Sequence, residues 1–211
     1  MGKLKIGAIA SGSGSNFEAI VQACESGILK GKADVKVLIC NKPGAFCMER
    51  AKNHNIPFVL IESDKHEGTR EEFDQKVIEV LKKYKCQLIV LVGYMRFVSK
   101  HFIDTFNGNV MNIHPALLPS FKGMHAHEDA LAYGVKVSGV TVHFVDPEED
   151  HGPIIVQKAV PVYDTDTKET LASRILEWEH KAFPKAIELF VDKRLHVDGR
   201  IVRINGAFKG L

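Results

Sequence analysis

Hydrophobic positions fall in short dense blocks, separated by stretches with helical spacing. Leu4–Ala10 reads as a buried strand, after which Phe17, Ile20, Val21 and Cys24 share a helix face over residues 17–24. Residues 35–40 read as a second strand, 45–53 as a helix and 57–61 as a third strand. Residues 69–83 form an amphipathic helical pattern with Phe73, Val77, Val80 and Leu81 on one side. The run at 87–93 is almost continuously apolar, which suits a central parallel strand covered on both faces. Residues 110–113 read as the next strand, and a short helix follows through Ala132.

Beyond that point the strands crowd together: 137–145, then 154–162 after an acidic loop at 146–153. A long helix at 170–190 carries Leu171, Ile175, Trp178, Phe183 and Leu189, with Pro184 expected to kink it. Asp198-Gly199 between two short apolar runs predicts a hairpin over 195–204. Strands alternating with helices predict an α/β fold: a mostly parallel twisted sheet with flanking helices, Rossmann-like, with antiparallel additions toward the C-terminus. One domain over residues 1–211 is the expectation for this length.

Three polar features stand at predicted strand ends, where open α/β sheets bind ligands. Ser11-Gly12-Ser13-Gly14-Ser15-Asn16 joins the first strand to the first helix, an arrangement that aims backbone N–H groups at an anion. It lacks the GK[ST] of a Walker loop, and Phe17 occupies the third glycine position of the dinucleotide fingerprint. A plain strand-to-helix turn would look the same. Arg96 lies among large apolar residues just past the central strand, where it would suit an acidic or carbonyl group of a ligand or simply cover core residues. Asn112 and His114 lie two apart before Pro115, so an extended chain turns both to one face.

Among ten histidines, His125 and His127 have ligand-like spacing, and His114, His143 and His151 are further candidates to join them. No cysteine or acid completes a recognised metal pattern with them, and no G-x-S-x-G elbow points to a nucleophile triad. General acid–base catalysis needs a histidine, an oxyanion donor and a tuning carboxylate. Asn112 and His114 supply the first two, and Asp146, Glu148, Glu149 or Asp150 the third. For His143 the bland alternative is a hydrogen-bonded core residue, and for the acidic loop it is plain solvation.

Composition narrows the partners. A net charge of +2 with 26% charged residues gives no argument for nucleic acid or a membrane surface. Four cysteines without a CxxC pair suit reduced thiols inside a cell. No run approaches the ~20 apolar residues of a membrane span, and the apolar N-terminal run is too short for a signal peptide.

Asn112-Ile113-His114-Pro115-Ala116-Leu117-Leu118-Pro119 resembles the Asn-x-His-Pro-Ser-Leu-Leu-Pro signature of 10-formyltetrahydrofolate-dependent formyltransferases and hydrolases. The resemblance extends over almost the whole chain. The Ser11–Asn16 loop is similar to the phosphate loop of the family's glycinamide-ribonucleotide branch, and the segment from Gly93 to Val98 to its folate segment. The stretch from His143 to Pro153 resembles its catalytic-aspartate loop, and Glu177 to Pro184 its late substrate-binding helix.

The resemblance implies formyl transfer from 10-formyltetrahydrofolate, as cosubstrate, to the amine of N1-(5-phospho-D-ribosyl)glycinamide in de novo purine (IMP) biosynthesis. Gly14, Ser15 and Asn16, with Leu176, Glu177, Trp178 and Glu179, would bind the ribonucleotide. Arg70, Met95, Arg96, Phe97, Val98 and Asn112, with Asp146, Pro147, Glu148, Glu149 and Asp150, would line the folate site. Asn112, His114 and Asp150 would be catalytic, with Asp150 raising the His114 pKa, and no metal is implied. Small-molecule substrates, a cytoplasmic setting and a monomer or homodimer are the accompanying expectations. The alternatives are a 10-formyltetrahydrofolate hydrolase and a non-catalytic phosphate-binding module. The first strand at residue four is expected to leave no room for the hydrolases' usual N-terminal regulatory domain. The end soon after the hairpin is expected to exclude the further domain of methionyl-tRNA formyltransferase. Two positions depart from the family pattern: Ser120, with Lys122 two residues on, and His151, where a glycine often follows the aspartate.

Overall fold

The computed structural model describes residues 2–208 and 210–211. Its chain divides into two compact units, one running to Asn112 and the other from Ile113 to Leu211.

The first unit alternates strand and helix. Its elements are β1 (Leu4–Ala10), α1 (Ser15–Glu25), β2 (Ala33–Cys40), α2 (Cys47–Asn53), β3 (Phe58–Leu60), α3 (Arg70–Lys83), β4 (Leu88–Leu91) and α4 (Lys100–Thr105). It closes with β5 (Val110–His114), whose last two residues pass into the second unit. The strand order is β3-β2-β1-β4-β5 and each of these pairs is parallel. The chain moves outward from β1 through β3, then returns to the other side of β1 with β4. This reversal is a topological switch point, and such points hold ligands at the carboxyl ends of the strands. The loops after β1 and β4 therefore meet where a ligand is expected. β1 and β4 are apolar because both faces are covered: Ile6, Ile9, Leu88, Ile89 and Val90 are all buried. Thr69 caps α3 in a reciprocal pair with Glu72, which stabilises a helix start by about 1 kcal/mol.

The second unit contains α5 (Ala126–Tyr133), β6 (Val137–Phe144), β7 (Ile154–Pro161), α6 (Lys168–Val191), β8 (Leu195–Asp198) and β9 (Ile201–Ile204). β6 and β7 are antiparallel, as are β8 and β9, and β9 lies parallel to β7 at Ile154 and Ile201. Helix α6 covers β6 and β7 with a face that buries Leu171, Ile175, Phe183 and Ile187. Each such side chain contributes roughly 1.5–3 kcal/mol of burial. Among the described residues no helix is long and apolar enough to cross a membrane.

The mostly parallel sheet with late antiparallel strands is as expected, and several boundaries move. The third strand shrinks to three residues because it is an edge whose Phe58 and Leu60 stay exposed. The second helix starts two residues late, at Cys47. Helix α6 runs unbroken through Pro184, which forfeits one backbone donor inside a well-buried helix. The hairpin forms with Asp198 still paired to Ile201, so its turn is Gly199-Arg200, one residue later than expected. Helix α4 has no counterpart in the sequence reading: six residues carry too few apolar positions to show a period.

Candidate functional site

In the first unit, the loop after β1 turns through Gly14, whose φ of 71° lies in the left-handed region that favours glycine. A Cβ on Gly14 would stand 2.5 Å from the Cβ of Cys47 in α2, so the residue must be glycine for both reasons. Ser15 and Asn16 open α1 immediately after it, with Asn16 buried. The loop after β4 is tied to this one: the Ser11 amide donates to the Gly93 carbonyl at 3.1 Å, and the Met95 amide to the Ser11 hydroxyl at 2.9 Å.

The β4 loop is firmly held. The Ser99 amide donates to buried Asp74 at 2.6 Å, and the Arg96 guanidinium lies 4.4 Å from the Phe73 ring centre. Arg70, at the start of α3, stands over the Phe97 ring at 5.8 Å. Met95 and Phe97 remain about half exposed while Val98 is buried. Thus Gly14, Ser15, Asn16, Arg70, Met95, Arg96, Phe97 and Val98 all belong to one unit and cluster around its switch point. Asn112 lies on β5 of the same unit, two residues before His114 on that strand.

In the second unit, His114 is buried with both ring nitrogens facing oxygen. Nε2 donates toward the Phe121 carbonyl at 2.7 Å, and Nδ1 is 3.1 Å from Oδ2 of Asp150. Asp150 also accepts the Gly123 amide at 2.9 Å, and its Oδ1 is 3.7 Å from Nε2 of His143. The other His143 nitrogen faces the Phe144 carbonyl at 2.8 Å. A register shift between Val142 and His143 on β6 accompanies this placement, and such irregularities re-aim side chains.

The loop that carries Asp150 is closed by local chemistry. Asp146 accepts the Glu148 amide at 3.1 Å with one oxygen and pairs with His151 at 2.6 Å with the other. Arg200 adds a bond to the His151 carbonyl at 2.5 Å. Asp150 takes a φ of 43°, a conformation aspartate tolerates better than most residues. A Cβ on Gly152 would fall 1.9 Å from the Phe144 carbonyl oxygen, so the chain passes there only as glycine. His151, the departure from the family pattern, therefore serves as a staple of the loop. Pro147, Glu148 and Glu149 are exposed on it.

The electrostatics bear out the direction of Asp150's effect on His114, but burial outweighs it. Burial is the largest influence on His114 and pulls its pKa down. The Asp150 carboxylate and the Phe121 carbonyl push it up, and the net is below the ordinary value rather than above it. At Asp150 burial pushes the carboxyl up, but His143, His114 and the Gly123 amide together bring it below the usual range. An ionised Asp150 thus faces a ring that is neutral at neutral pH, and a second proton on that ring would have an oxygen at each nitrogen.

On α6, Glu179 is buried, Leu176 half-buried and Glu177 exposed. Trp178 is flanked by the Lys158 and Lys181 ammonium groups, 4.2 and 4.5 Å from its ring centre. Of the histidines weighed for a metal, His114 and His143 meet at Asp150, while His125 pairs with Glu128 and His151 with Asp146; among the described residues no group of these side chains is arranged to hold a metal ion. Sequence reasoning missed three contributors: His143, the Phe121 carbonyl and the Gly123 amide. Two are backbone groups, which leave no side-chain signature, and His143 reads as a core histidine until Asp150 is beside it.

The family described as formyl transferase matches residues 4–187. Phosphoribosylglycinamide formyltransferase of Bacillus subtilis (strain 168) is 42% identical over 184 residues, covering 87% of this chain and 93% of that protein. The trifunctional purine biosynthetic protein adenosine-3 of Chironomus tentans is 44% identical over 89% of this chain, which spans only 14% of that relative's length. The crystal structure of glycinamide ribonucleotide transformylase 1 from Symbiobacterium toebii superposes with a TM-score of 0.92 at 42% identity, covering 96% of this chain and 94% of that one.

Proposed function

The chain belongs to the formyl transferase family, and from that premise we propose that it formylates the amine of N1-(5-phospho-D-ribosyl)glycinamide in purine biosynthesis, with 10-formyltetrahydrofolate as the donor. The observation that carries this reading is the likeness, over nearly their whole length, to phosphoribosylglycinamide formyltransferases. The family match runs through both compact units, so we take them together as one formyltransferase domain. The proposed setting is the cytoplasm.

In the proposed reaction the substrate amine attacks the formyl carbon. A C–N bond forms and the formyl oxygen becomes an oxyanion. The Asn112 amide and a His114 N–H are the donors proposed for it; losing one such donor typically costs on the order of a hundredfold or more in rate. The amine must lose a proton, and N10 of the folate must gain one as its bond to the formyl carbon breaks. His114, neutral at rest, can take up that proton because Asp150 and the Phe121 carbonyl stand ready at its nitrogens. Returning it to N10, directly or through water, closes the cycle with Asp150 ionised throughout. Donation to the oxyanion from Nε2 requires the ring to exchange the Phe121 carbonyl for substrate.

Gly14, Ser15 and Asn16 are proposed to hold the ribose phosphate, with Leu176, Glu177, Trp178 and Glu179 on the same substrate. Arg70, Met95, Arg96, Phe97 and Val98, with the loop from Asp146 to Asp150, are proposed for the folate. The test follows formyl loss from 10-formyltetrahydrofolate with and without the ribonucleotide. Ribonucleotide-dependent loss, with formylated product and tetrahydrofolate in equal amounts, is expected. Equal loss without the ribonucleotide would mark a hydrolase, and no loss a binding module; either result overturns the proposal.

A further inference from the structure

Helix α2 carries no residue that the formyl-transfer reading uses, yet it engages three successive residues of the loop after β1. The Cys47 amide donates to the Gly12 carbonyl at 3.1 Å. The Arg50 Nε–H donates to the Ser13 carbonyl at 2.9 Å. The Cys47 side chain fills the space that a Cβ on Gly14 would need.

These contacts have a directional consequence. In a trans peptide the C=O and the following N–H point in opposite directions. Drawing the Gly12 carbonyl toward α2 turns the Ser13 N–H away from it. Drawing the Ser13 carbonyl toward Arg50 does the same for the Gly14 N–H. Two adjacent amides are thereby aimed off the far side of the loop, as a nest of donors for an anion requires.

Arg50 is itself fixed. It pairs with Glu18, in the first turn of α1, at 3.3 Å and lies 4.9 Å from the Phe46 ring centre. Glu18 is in turn held by His54 at 2.8 Å, and His54 by Glu25 at 3.0 Å. One guanidinium therefore joins the loop backbone to the helix that follows it, with its charge beside the loop.

We infer that α2 sets the conformation of the phosphate loop and that Arg50 is a positioning residue for ribonucleotide binding, acting through the Ser13 carbonyl rather than by touching substrate. The inference rests on the reading of Gly14–Asn16 as the phosphate site. It distinguishes Arg50 from an ordinary surface cation, because its loss should be felt by one substrate and not the other.

The test uses the whole chain with Arg50→Met and Arg50→Lys, and compares the ribonucleotide with its dephosphorylated nucleoside. Arg50→Met is expected to raise KM for the ribonucleotide about tenfold, the size of one lost charge-assisted hydrogen bond. The kcat and the KM for 10-formyltetrahydrofolate should stay within about twofold. Arg50→Lys, which keeps one donor and the charge, should fall between. On the nucleoside, wild type and Arg50→Met should be equal, since no phosphate is there to be held. An unchanged ribonucleotide KM, or an equal rise in both KM values with a fall in kcat, overturns the positioning role. If wild type itself fails to prefer the nucleotide over the nucleoside, the phosphate-site reading falls and takes this inference with it. A wild type that prefers the nucleotide, with Arg50→Met unaltered, sinks the α2 inference alone.

Discussion

The loop after β1 and the cluster around His114 are built from different materials. In the loop, the anchored groups are the Gly12 and Ser13 carbonyls and the Cα of Gly14, held by an amide, a guanidinium that stays charged at any working pH, and a packed Cβ. In the cluster, a buried imidazole, a carboxylate and a second imidazole lean on one another within 3.7 Å. The loop's geometry follows from sterics and backbone direction, with the Arg50 guanidinium that anchors it charged throughout. The cluster's behaviour depends on which atoms carry protons, because burial and neighbouring charges oppose each other at His114. One region is suited to holding a substrate of fixed charge, the other to a reaction in which a proton must move.

The contrast can be broken first at Gly14. Gly14→Ala places a methyl 2.5 Å from the Cys47 Cβ in a left-handed backbone. Ribonucleotide KM should rise more than about tenfold with the pH dependence of kcat unaltered. Adding Cys47→Gly removes the closer of two collisions and should recover part of the loss; what remains reports the φ penalty together with the 2.9 Å approach to the Cys47 Cα. A wild-type KM in Gly14→Ala would mean that the loop's shape does not govern binding.

A smaller effect should be seen at the ring of His114 by NMR titration. Its midpoint is expected below the ordinary histidine value of about 6.5, because burial outweighs Asp150. The sign carries over to stability. A histidine with a depressed native pKa costs the folded state nothing above about 6.5, and the loss accumulates as pH falls toward the native pKa. A midpoint above the ordinary value would show that the carboxylate dominates, and the neutral resting ring would have to be abandoned.

Much of the fold is visible in the chain's own pattern. Leu4–Ala10 matches to the residue, and the apolar block that forms β4 is located within two residues at each end, because strands buried on both faces leave dense apolar runs. Elements without such burial fade: β3 is an exposed edge and α4 is too short for a period. At the candidate site, the spacing of Asn112 and His114 is legible because a strand alternates strictly. Asp150 is picked out among four loop acids only through family resemblance. What brings it to His114 is the closure of its loop by Asp146 and His151 and the passage of Gly152 past Phe144, which are tertiary events. Arg50 is one of three charged residues on a seven-residue helix, with Glu49 and Lys52, and nothing local marks it as the partner of Ser13.

The central claim, that the His114–Asp150 pair carries the proton of a formyl transfer, is tested most directly by Asp150→Asn. The variant keeps the side chain's shape and its Oδ acceptor for Gly123 but removes the charge. The account predicts that kcat falls by on the order of a hundredfold or more, while affinity for the ribonucleotide and thermal stability stay near wild type. Turnover close to wild type in Asp150→Asn would contradict it.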